Sequence, residues 1–147
     1  MFQEMFTKAN GQSIIYKDKR ICMIDSIQVI NKGTLRVVFE STNSDWRQGI
    51  CLDTDGAFIV AGHRLKKSIV LWADTAPPEV RALVLSKKGV VQFYNVWDMG
   101  DGVMHYWHNG GAMVVENALG GKRVYCNDGR ADDDFDDLVV VLDVLVA

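Results

Sequence analysis

Residues 24–37 read Ile24-Asp25-Ser26-Ile27-Gln28-Val29-Ile30-Asn31-Lys32-Gly33-Thr34-Leu35-Arg36-Val37, and residues 80–93 read Val80-Arg81-Ala82-Leu83-Val84-Leu85-Ser86-Lys87-Lys88-Gly89-Val90-Val91-Gln92-Phe93. Both alternate apolar and polar side chains, the spacing of a strand with one buried face. Both break at a Lys-Gly pair, and Gly33 and Gly89 stand 56 positions apart. The correspondence runs on: Val60 matches Val115, Ser68–Asp74 matches Lys122–Asp128, and Ala82–Leu85 matches Asp137–Val140. Apolar alternation shared by all-β chains is the simpler source of such matches. Taken as a repeat, the pattern predicts two similar β-units of about 55 residues, 24–79 and 80–147, within one domain spanning 1–147. Each Lys-Gly pair is expected to turn a hairpin.

Other segments agree. Ile14-Ile15-Tyr16 and Ile21-Cys22-Met23-Ile24 flank Lys17-Asp18-Lys19-Arg20 as in a hairpin. Thr34–Glu40, Gly49–Leu52, Ala57–Val60 and Ser68–Trp72 read as strands, and Asp53-Thr54-Asp55-Gly56 as a turn. Phe2, Met5, Phe6 and Ala9 recur at helical spacing, so residues 1–10 predict a short N-terminal helix docked on the body or on a neighbouring subunit. The segment after Pro77-Pro78 reads as loop then strand. Two sheets that each bury one face must pack together, so the fold expected is all-β: a jelly-roll-like β-sandwich of about eight to ten strands.

Composition bounds the function. The chain has 147 residues, 48% hydrophobic and 24% charged, enough for one folded core. Its net charge of −3 gives no case for nucleic-acid binding. No apolar run approaches a membrane span, and the first residues lack a signal-peptide layout. Cys22, Cys51 and Cys126 are an odd, unpatterned set, which suits a reducing compartment. These features predict a cytoplasmic protein. The stripe Phe2, Met5, Phe6 and the apolar tail Val139–Val146 exceed what one small sandwich needs to bury, which predicts a homo-oligomer.

The charge is concentrated. Residues 128–143 hold seven Asp and one Arg. Within them runs Asp132-Asp133-Asp134-Phe135-Asp136-Asp137, preceded by Cys126-Asn127-Asp128-Gly129. Carboxylates so crowded need a cation, a basic partner or full solvation. Hard cations such as calcium take about six to eight oxygen ligands. Asp132, Asp134 and Asp136 alternate, which aims them one way in an extended loop. Asn127 and Asp128 close the site from the preceding strand, with Asp137 beside them. An EF-hand is excluded because Asp137 stands where that loop needs Gly.

The order Asn127-Asp128-Gly129, spacer, Asp132-x-Asp134-Phe135-Asp136-Asp137-Leu138-Val139 resembles the closing motif of certain bacterial adhesin-associated β-domains. It is more distantly similar to the calcium loop of bacterial galactose-binding lectins. The resemblance covers about the last twenty residues and implies a β-sandwich whose final hairpin holds calcium. Asp136 departs from the usual Asn, and those relatives are generally exported.

A second candidate surface is Asn95-Val96-Trp97-Asp98-Met99-Gly100-Asp101-Gly102 with His105-Tyr106-Trp107-His108-Asn109. Aromatic faces beside Asp, Asn and His are the materials of sugar recognition, and Trp97, Asp98, Asp101, Tyr106, Trp107, His108 and Asn109 are its candidates. Gly-rich turns between core aromatics give the same composition. His105 and His108, three apart on a strand, point to opposite faces and argue against zinc. His63, Arg64, Lys66 and Lys67 read as a basic turn, able to meet the acidic loop of another copy. No nucleophile, phosphate-loop or zinc-protease motif is present, and Cys126 reads as a buried strand thiol rather than a nucleophile. The expectation is a non-enzymatic module with a calcium-organised loop that binds a glycan or other small polar ligand. The alternative is an interaction or immunity-type protein whose acidic face docks a basic protein partner.

Overall fold

The computed structural model describes residues 1–30, 32–118 and 120–145. One helix, α1 (Phe2–Lys8), precedes eleven strands: β1 (Ile14–Tyr16), β2 (Lys19–Cys22), β3 (Asp25–Gln28), β4 (Thr34–Thr42), β5 (Arg47–Val60), β6 (His63–Trp72), β7 (Glu79–Leu85), β8 (Val90–Asp98), β9 (Ala112–Ala118), β10 (Gly121–Asn127) and β11 (Leu138–Leu145). The all-β reading with a short N-terminal helix holds. All pairings are antiparallel, in the order β1-β2-β9-β10-β11-β4-β7-β5-β8-β3, with β6 added on β5. The sheet curls into a half-barrel around its core.

The curl comes from β5. Asp53-Thr54-Asp55-Gly56, expected as a turn, lies inside this strand and bends it. Before the bend Arg47–Asp53 pairs with β8; after it Ala57–Ile59 pairs with β7. The register with β6 slips between Asp53 and Ala57, as at a bulge. Gly56 is required there because a Cβ would meet the Leu85 carbonyl oxygen at 1.8 Å. Ser86 Oγ and the Lys88 N–H donate to the Asp55 carboxylate, pinning the corner to the next connection.

The Lys-Gly turns are not hairpins. β3 pairs with β8 and β4 with β7, so each connection arches over the core instead of folding back on its neighbour. Period-two alternation is the same in an arch and in a hairpin, so it could not separate them. The two arches meet: the Val29 N–H donates to the Gly89 carbonyl at 2.8 Å, and the Val84 N–H to that of Gly33 at 3.0 Å. Beyond them the units differ. β5 lies between β7 and β8, whereas β9, its expected counterpart, lies between β2 and β10.

One large cluster, including Leu35, Leu52, Phe58, Phe93, Val124 and Leu142, fills the curl. β11, very apolar, is an interior strand between β10 and β4; Val146 lies outside the described residues. A second cluster joins Phe2 and Phe6 of α1 to Ile21, Ala112 and Phe135. A seven-residue helix is not stable alone, so this packing holds it. Phe2 and Phe6 are 0% and 2% exposed within their own chain, which removes them as grounds for self-association. The β1–β2 hairpin forms as expected, on Lys17 and Asp18 at φ 48° and 64°. His63, Arg64, Lys66 and Lys67 sit on β6 rather than in a turn, all exposed. Charges on a strand paired on one side only oppose edge-to-edge association.

Candidate cation site

The acidic loop is built from the end of β10 to the start of β11. Asn127 and Asp128, both fully buried, hold its backbone. Asn127 Nδ2 donates to the carbonyls of Gly110 and Asp132 at 3.0 and 2.7 Å, and its Oδ1 accepts from the Phe135 N–H at 3.4 Å. Asp128 Oδ2 accepts from Ser44 Oγ and Gln48 Nε2, and Oδ1 from the Arg130 N–H. These two residues, expected as ligands, spend their polar atoms on the frame.

Phe135 sets the direction of the rest. It is 4% exposed, packs its ring 5.7 Å from that of Phe2, and has φ 52°, a left-handed conformation costly for a non-glycine residue. With Phe135 turned inward, Asp132, Asp134 and Asp137 each bring an oxygen within 4.8 Å of the others. They open on a cavity of about 420 Å³ shared with Thr42, Asn43, Ser44, Asp45 and Arg130. Alternate spacing pointed to Asp136, but its Oδ2 accepts from Asn43 Nδ2 at 2.8 Å. Asp133 leaves the cluster for Lys17 Nζ at 2.7 Å, and that bond holds its carboxyl below the ordinary range.

The electrostatics reflect crowding. Burial pushes the Asp137 carboxyl up to about 7; the Asp128 N–H opposes this, and the charges of Asp128, Asp132 and Asp134 reinforce it. Asp134 is raised by desolvation, then by Asp132 and Asp136. Asp132 Oδ1 and Asp136 Oδ1 are enclosed without a hydrogen-bond partner among the described residues. The Thr42–Asp45 connection was missed in the sequence, although four consecutive oxygen-bearing side chains were its signal. So was Trp46, whose ring lies 4.7 Å beneath the Arg130 guanidinium.

The aromatic candidates do not form one face. Trp97 is 1% exposed and offers no ring to a ligand. Its indole packs where Gly111 and Gly129 leave room. A Cβ on Gly129 would sit 3.0 Å from Trp97 Cζ2, so Gly129→Ala should cost about 1–3 kcal/mol in chemical denaturation. Asp98 and Asp101 accept backbone N–H groups of their own loop. Trp107 is half-buried and donates from Nε1 to the Met23 carbonyl. Tyr106, His108 and Asn109 are exposed. His105 and His108 lie in a loop, not on a strand, with ring centroids 5.8 Å apart. Among the described residues, the acidic triad is the one group of three potential ligands that converges. The Cys126 thiol is raised well above its ordinary value by complete burial, so it is no nucleophile at neutral pH. No helix among the described residues is long and apolar enough to cross a membrane. No family model matches the chain, nor does any curated protein or solved structure.

Proposed function

We propose that this chain is a non-enzymatic binding module whose acidic loop is organised by calcium, with a glycan or other polar ligand seated beside the ion. The observation that carries this reading is the convergence of Asp132, Asp134 and Asp137 at the mouth of a polar cavity. Hard, oxygen-only donors suit calcium better than zinc or copper. Asn43, Ser44 and the Arg130–Trp46 stack supply hydrogen bonds and an apolar rim for a hydroxylated ligand.

A basic partner is the second reading. It is favoured by Asp45, whose side chain is 90% exposed and meets only Arg130 at 3.5 Å among the described residues. Calorimetric calcium titration separates the two. Saturable heat that disappears in Asp132→Asn/Asp134→Asn supports the ion. If wild type gives no heat and the double variant simply melts higher, the loop is a repulsive acidic surface and the partner reading takes its place. For an ion bound only by the folded form, stabilisation should reach about 2.7 kcal/mol at one hundred times the dissociation constant.

A further inference from the structure

Away from the acidic loop, Asp101, His105 and His108 lie within eight positions of one another, between β8 and β9. On a strand the two histidines would face opposite ways. Here Trp107 stands between them at φ 60°, a left-handed backbone costly for a bulky residue. Asn109, on the far side of His108, is left-handed too, at φ 47°. The chain turns, and the two imidazoles meet edge-on, with centroids 5.8 Å apart and planes at 68°.

All three residues are held. Asp101 Oδ1 accepts from the Val103 N–H at 3.0 Å, which orients the carboxylate and leaves Oδ2 for another partner. His105 exchanges both backbone hydrogen bonds with Trp97 of β8, at 3.0 and 2.8 Å. The His108 carbonyl accepts from the Gly111 N–H at 2.7 Å. Groups ordered in advance lose little entropy when they bind.

His105 Nε2 is enclosed and has no hydrogen-bond partner among the described residues. Enclosed polar atoms are nearly always bonded, so this nitrogen calls for a partner. Asp101 Oδ2 stands 3.5 Å from it without the alignment of a hydrogen bond. That separation is the one two ligands of a single ion adopt. Tetrahedral zinc, with bonds of about 2.0–2.1 Å, sets its ligand atoms about 3.4 Å apart and the centres of two bound imidazoles about 5 Å apart. The three side chains do not converge as tightly as the acidic triad does. Asp101 and His105 already stand at the required distance, so closure asks only that His108 turn its ring, and that side chain is exposed. Two imidazoles beside one carboxylate also differ in kind from three carboxylates. Nitrogen donors favour zinc and its neighbours over calcium.

We infer that Asp101, His105 and His108 form a zinc site that ties the 98–108 loop to the end of β8. It is independent of the acidic loop and stands whether or not that loop takes calcium. Calorimetric zinc titration of the full chain tests it, in the Asp132→Asn/Asp134→Asn background so that the acidic triad contributes no heat. One zinc per chain should bind, with a dissociation constant on the order of micromolar. His108→Ala, at an exposed position, and Asp101→Asn should each weaken binding at least about tenfold. In nuclear magnetic resonance spectra of the unsubstituted chain, zinc should shift the ring signals of His105 and His108 together and leave those of His63 in place. Excess calcium should not displace the zinc. Absence of saturable heat, full affinity in His108→Ala, zinc shifts at His63 rather than at the pair, or displacement by calcium overturns the proposal.

Discussion

Phe135→Ala should destabilise the protein by about 3–5 kcal/mol, the range for deleting a buried phenyl ring. At this length that is on the order of ten degrees of melting temperature. The ring joins the acidic loop to α1 through Phe2, and Phe2 in turn stacks edge-on against Tyr16 at 5.0 Å. Removing it should therefore loosen three elements together: the helix, the β1–β2 hairpin and the loop. Phe135→Gly provides the diagnostic. At an ordinary position Gly is worse than Ala, but at φ 52° the left-handed backbone penalises Ala by about 1–2 kcal/mol and spares Gly. Phe135→Gly should thus melt at or above Phe135→Ala. If Gly melts clearly lower, the left-handed turn is not what orients the carboxylates. Calcium heat should fall in both variants, because Asp132 and Asp134 lose the inward anchor between Asp134 and Asp136.

Much of the fold was legible because strands announce themselves by alternation: β4 and β11 lie where their patterns place them, and β6 does so from Ser68 to Trp72 but begins earlier, at His63. What alternation omits is the partner of each strand. The Lys32-Gly33 and Lys88-Gly89 pairs permit a sharp reversal, yet whether the chain returns beside itself or joins the sheet at a more distant place depends on contacts far away in sequence. Asp53-Thr54-Asp55-Gly56 misled for a related reason: turns and bulges use the same residues, and only the approach of Leu85 reveals that Gly56 sits inside a strand. At the site, the density of carboxylates was plain but their division of labour was not. Asn127 and Asp128 became frame because Gly110, Ser44 and Gln48 reach them from distant elements. Trp97 read as a ligand platform because its closeness to Gly111 and Gly129 is invisible in one dimension.

The largest pH effect should come from Asp137. Its carboxyl is ordinary in the unfolded chain and pushed up to about 7 in the folded one, chiefly by burial. A carboxyl raised on folding favours the native state while protonated. Without a cation that contribution is complete below about pH 4 and is lost as pH rises through about 7. Stability in chelator should therefore fall between about pH 4 and 7, by an amount on the order of a few kcal/mol, and level off above, with the melting temperature following it. Asp133 works oppositely through Lys17, but that pair is exposed, and its small contribution is already complete at neutral pH and is lost only at acid pH. Calcium should reverse the trend. An ion beside Asp137 favours the carboxylate, displaces its proton and makes stabilisation grow with pH. Asp137→Asn keeps the shape, removes the titration and should flatten the chelator profile while abolishing the calcium response. A wild-type profile in chelator that is flat from about pH 4 to 7 would show that Asp137 is ordinary in the folded protein, and would remove the electrostatic support for the cation reading.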